Sequence, residues 1–110
     1  RQGDRVAWLY LILAGLFEIG WPVGLKMSQA PETRLAGIGL AIGFMSMSGF
    51  LLWLAQREIP IGTAYAVWTG IGAAGTLFVG ILFYGDPASM ARYLGVGLII
   101  AGVVTLKMAH

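Results

Sequence analysis

Four long apolar runs, joined by short polar connections, constrain this chain more than any single residue does. They cover residues 6–25, 35–55, 59–85 and 88–106. Each is close to, or beyond, the ~20 residues an α-helix needs to cross a hydrocarbon core about 30 Å thick. A membrane β-barrel would instead show alternating segments of about ten residues, and none is visible. Polar breaks separate the runs: Pro31 and Glu32 in the first connection, Gln56-Arg57-Glu58 in the second, Asp86-Pro87 in the third. The pattern predicts an all-α membrane protein. It is a four-transmembrane-helix bundle in a single integral-membrane domain, residues 1–110. The polar lead at residues 1–5 has no initiator Met and is left out of this reading.

Composition excludes the other classes. The 110 residues are 58% hydrophobic and 11% charged, against about 25% charged in soluble domains. A soluble fold of that length could not cover so much apolar surface. With no cysteine and a single histidine, His110, disulfides, thiolate metal sites and histidine clusters are excluded. Neither a metal nor a cofactor is expected. The net charge of +2 comes from seven basic residues spread over the ends of the runs. They form no patch, so no nucleic-acid partner is expected.

Glu18 is the one charged residue within residues 6–25. A carboxylate at membrane depth is unfavourable by at least ~2.5–3.5 kcal/mol, and such residues mark substrate or proton pathways by default. The structural alternative is a buried neutral acid or a paired one, but the one base inside an apolar run is Arg92, near the start of the fourth. Helical spacing places Leu11, Ala14, Gly15, Trp21, Pro22 and Leu25 on its face. Gly15 opens space beside the carboxylate, and Trp21 offers an indole donor. Pro22 has no N–H, so it leaves the Glu18 carbonyl free and marks a possible kink. Run three places Tyr65, Trp68, Thr69 and Gly72 on one face, and run two contributes Ser46 and Ser48. An acid among aromatic rings and hydroxyls describes a cation site. The alternative, an interfacial aromatic belt, suits Trp8, Tyr10 and Tyr93 better than Tyr65 and Trp68, which lie deeper.

Seventeen glycines point to close helix packing. Gly95 and Gly102 share a face next to Val103 and read as a dimer seam or as packing within the bundle, with nothing to separate the two. Gly70, Gly72 and Gly75 match a dinucleotide-binding spacing, yet they sit in an apolar span with no preceding strand. They are read instead as places where helix 3 bends or lies against a neighbour. Arg1, Arg5, Arg57 and Lys107 fall on one side of the membrane, and Lys26, Arg34 and Arg92 on the other. Such balance gives almost no positive-inside bias. Copies could therefore insert both ways and pair antiparallel, an inverted repeat made from two chains. Pairing would also supply two carboxylates and eight helices, enough to enclose a cavity.

The segments Gly15-Leu-Phe-Glu18-Ile-Gly-Trp21-Pro-Val-Gly-Leu-Lys26 and Pro60-Ile-Gly62-Thr-Ala-Tyr65-Ala-Val-Trp68-Thr-Gly70-Ile-Gly72 resemble those of the small multidrug resistance transporters. The resemblance covers nearly the whole chain. Trp21 and Trp68-Thr69-Gly70 resemble the guanidinium-exporting subtype. Pro22 departs from the Ala that close relatives usually carry. The resemblance implies a transporter rather than an enzyme, working as an antiparallel dual-topology homodimer in the cell inner membrane. It implies Glu18 as the shared proton and substrate site, lined by Gly15, Trp21, Ser48, Tyr65 and Trp68. Gly95, Gly102 and Val103 would form the dimer seam.

Three functions fit. The first is proton-coupled export of guanidinium, a planar cation whose N–H donors match carboxylate pairs. The second is export of bulkier quaternary ammonium ions, which have no N–H and rely on rings. The third is a membrane subunit with no transport of its own. The partners expected are a small organic cation, protons, a second copy and the lipid bilayer.

Overall fold

In the computed structural model residues 2–109 are described, so Arg1, part of the charge reading above, and the single histidine, His110, lie outside them. The chain forms α1 (Gln2–Met27), a short 3-10 turn (Pro31–Thr33), α2 (Arg34–Ala55), α3 (Ile61–Phe83) and α4 (Met90–Ala109). All four helices are long and apolar enough to cross a membrane.

The helix ends differ from the sequence reading for local reasons. The polar lead continues α1, with Asp4 in the first turn, where a carboxylate suits the helix dipole. Helix α3 starts at Ile61 rather than residue 59, because Pro60 caps it with extended backbone and Ile59 is buried in the core. It stops at Phe83, and Gly85, at φ +69°, turns the chain back. The Tyr84 and Asp86 N–H groups then both donate to the Gly80 carbonyl, at 3.1 and 3.0 Å. Helix α4 starts at Met90, since Ser89 Oγ accepts the Arg92 N–H at 3.3 Å, an N-cap contact. At the end of α1, Ser28 Oγ donates to the Leu25 carbonyl and Thr33 Oγ1 to that of Met27, each at 2.6 Å. Those bonds add a second, shorter contact to carbonyls that otherwise accept only the Ser28 and Ala30 N–H groups, at 3.2 and 3.4 Å. Helix α1 runs through Pro22 without a break.

Helix α1 packs against both α2 and α3, and α4 leans on α3. The α1–α2 crossing is close: a Cβ on Gly24 would lie 2.6 Å from the Ala41 nitrogen, and one on Gly37 would lie 2.5 Å from the Gly24 oxygen. The core gathers at the end of the bundle where α1 begins, around Trp8, Leu11, Ile59 and Val67. Trp8 is thus a core residue, 5% exposed, and not part of an interfacial belt. In lipid an apolar ring is as stable inside the bundle as at its rim, so its depth in the run did not reveal which face it takes. The chain measures 47 × 34 × 18 Å. Its short dimension is under two helix diameters at ~10–12 Å each. One copy is therefore a slab.

Candidate functional site

Glu18 stands nine residues short of Met27, about 14 Å from the end of α1 at ~1.5 Å per residue. It is half-buried where α1 meets α3. The neighbour that lets it lie there is Gly72, since a Cβ at that position would be 2.5 Å from Glu18 Cγ. The same interface is fitted on either side. A Cβ on Gly15 would lie 2.7 Å from the Ile71 Cβ, and the Ile19 side chain sits on Gly75. Gly15 therefore admits α3 and not only the carboxylate. The three glycines read above as a packing surface do face neighbours: Gly70 meets Val103 of α4, while Gly72 and Gly75 meet α1.

From α2, Ser48 is fully buried and reaches the carboxylate. Its hydroxyl donates to the Ala14 carbonyl at 2.7 Å and lies 3.5 Å from Glu18 Oε1. The Trp68 Nε1–H donates to Ser48 Oγ at 2.8 Å. A serine has one proton to give. Here the short bond to Ala14 takes it, and the contact with Glu18 is at the outer limit of a hydrogen bond. The order is Trp68 to Ser48 to Ala14, with the carboxylate beside the chain and only loosely held by it.

The other expected residues are placed differently. Tyr65 is 57% exposed, and its ring packs on Trp68 with centroids 5.5 Å apart. Trp21 is half-buried, with its Nε1 buried and bonded to no acceptor among the described residues. Neither reaches Glu18 by a hydrogen bond within one copy. Ser46 and Thr69 are exposed. Around Gly95 and Gly102 the space is open, whereas Val103 turns its side chain onto Gly70 of the same chain. The Ala14 carbonyl was the participant that sequence reasoning missed. Its place on the Glu18 face was legible, but a backbone acceptor inside a helix carries no residue-type signal.

Four membrane-spanning helices, with a mid-span carboxylate beside a buried serine and an indole where three of them meet, define a multi-pass membrane protein. A family model described as Small Multidrug Resistance protein matches residues 6–99. The chain belongs to that family, and is a transporter rather than an enzyme. Among curated relatives, proteins named Guanidinium exporter are similar over nearly full length. That of Yersinia pseudotuberculosis serotype I (strain IP32953) is 49% identical over 94% of this chain and 99% of its own. Those of Citrobacter freundii and Salmonella typhimurium are each 47% identical over 94% of this chain and 98% of theirs.

Proposed function

We propose that this protein exports guanidinium, and singly alkylated guanidinium ions, in exchange for protons. Glu18 carries either the proton or the cation. Two copies pair antiparallel in the cell inner membrane, so that two carboxylates share the site. The observation that carries the reading is the loosely held mid-span carboxylate, in a chain nearly half identical to proteins named for guanidinium export. Guanidinium is flat and rimmed with N–H donors, and carboxylates accept such donors in forked pairs. A cation arriving at protonated Glu18 displaces the proton to the same aqueous side, and the reverse occurs on the other side. That competition couples the two flows.

The slab shape of one copy, the open space along Gly95 and Gly102, and the near-equal basic residues on the two sides all support pairing. Gly15, Trp21, Ser48, Tyr65 and Trp68 line the site in this reading. The exposed Tyr65 and the unbonded Trp21 Nε1 would find their partners across the pair. An alkyl tail lies toward α2. There Phe17, Gly43, Phe44 and Met47 line an apolar groove of about 400 Å³. Purified protein in proteoliposomes should take up guanidinium against a pH gradient. Absence of pH-driven uptake, in vesicles where the protein is folded, would refute the proposal.

A further inference from the structure

On the far side of α4 from Gly95 and Gly102 a second groove runs between α1, α3 and α4. Its volume is about 350 Å³. Trp8, Ile12, Val67, Ile71, Val103 and Val104 line it, together with Lys107. The Lys107 Nζ lies 5.3 Å from the centre of the Trp8 ring, within cation–π range. Trp8 and Val67 are buried and make a fixed apolar floor. On α1, Arg5 is exposed and precedes Trp8 by three residues, so it shares that face one turn nearer the helix end. Asp4 shares that face too, while Lys107 is the charged residue that lines the groove itself.

The helix period decides what can reach this groove. Gly95, Leu98, Gly102 and Leu106 recur at three- and four-residue steps along one face of α4. At ~100° per residue Val104 lies about half a turn away, Lys107 about a third of a turn and Val103 about a quarter. A copy seated on Gly95 and Gly102 therefore meets the groove only at its Val103 edge and leaves Val104 and Lys107 open to the acyl chains of the bilayer.

We propose that this groove binds an anionic phospholipid. One acyl chain lies along Ile12, Ile71 and Val104, and the headgroup phosphate sits on Lys107 with Arg5. Charge complementarity selects the occupant, since basic pockets between membrane helices recognise anionic headgroups. A lysine that merely extends its stem toward water needs no groove and prefers no headgroup. The site is separate from Glu18, so its failure leaves the transport reading untouched.

The test is tryptophan fluorescence of the full chain in vesicles, with bromine-labelled acyl chains placed either on an anionic phosphatidylglycerol or on a zwitterionic phosphatidylcholine. The Trp8 contribution is wild type minus Trp8→Phe. At equal mole fraction the anionic lipid should quench that contribution more effectively, by about fivefold for each basic residue engaged, from ~1 kcal/mol per Lys or Arg near an anionic surface. Lys107→Gln should bring the two lipids toward parity, and Lys107→Arg should keep the preference. Guanidinium uptake by both variants checks that they fold. Equal quenching by the two lipids in wild type would mean plain acyl contact and overturns the proposal. Absence of quenching by either would mean that a second copy covers the groove, and overturns it as well.

Discussion

Gly72→Ala probes the contact that lets Glu18 occupy mid-span. The added Cβ would lie 2.5 Å from Glu18 Cγ and 3.2 Å from its Cβ. Carbon atoms rest at about 3.5–4.0 Å, so a gap of about 1 Å must open. Separating α1 from α3 would pull Ile71 off Gly15 and Ile19 off Gly75, which pin the helices on either side. The easier response is rotation of Glu18 about its first side-chain torsion. That swings the carboxylate away from Ser48, already 3.5 Å distant. Overpacking costs about 1–3 kcal/mol, and alanine regains roughly 0.8–1 kcal/mol of helix propensity over glycine, so the net change in stability is small. The Ser48 contact is too loose to matter much, but a displaced carboxylate also misaligns with a bound cation, and one charge-assisted hydrogen bond lost there is worth ~1.5–3 kcal/mol, or roughly 10- to 150-fold in affinity. The assay is guanidinium-driven proton release from purified protein, read beside its melting temperature. Gly97→Ala serves as the control, because nothing lies within 4 Å of a Cβ there. Guanidinium affinity should fall at least tenfold in Gly72→Ala and stay unchanged in the control. Wild-type affinity in a well-folded Gly72→Ala protein would refute the idea that this contact sets the carboxylate.

Glu18→Gln should abolish pH-driven guanidinium exchange in proteoliposomes, because an amide neither titrates nor carries charge; retained exchange removes Glu18 from the mechanism. Ser48→Ala strands the Trp68 indole donor and should destabilise the fold by about 1–3 kcal/mol. Adding Trp68→Phe should then cost less than it does alone, a coupling of ~0.5–3 kcal/mol in a double-mutant cycle of denaturant unfolding; strictly additive losses would deny the hydrogen bond. Reporters fused at the C-terminus should be found on both sides of the membrane, and two added lysines in the first connection should bias them to one side; a single location from the outset rules out dual insertion. Tetramethylammonium, which has no N–H, should compete poorly with guanidinium, and equal displacement at equal concentration would favour the quaternary ammonium reading.

The four helices and the lone carboxylate inside the first of them, Glu18, were legible in the sequence by itself. A span of apolar residues has one low-energy form in lipid, because every backbone polar group must be satisfied internally. A lone carboxylate in such a span has few reasons to be there except function. The motifs around Glu18 and Tyr65 were equally legible, and the family match at residues 6–99 agrees with them. Which face of each helix is buried was not legible. In water an apolar residue marks the inside, but in lipid the outside is apolar too, so hydropathy cannot tell them apart. Only the tertiary structure buried Trp8 in the core, turned Val103 onto Gly70 and left Tyr65 exposed. It alone set Gly72 against Glu18, and gave the single proton of Ser48 to the Ala14 carbonyl rather than to the carboxylate. These outcomes depend on how three helices approach one another within tenths of an ångström, and that distance is written in the pairing of glycines on one helix with side chains on another.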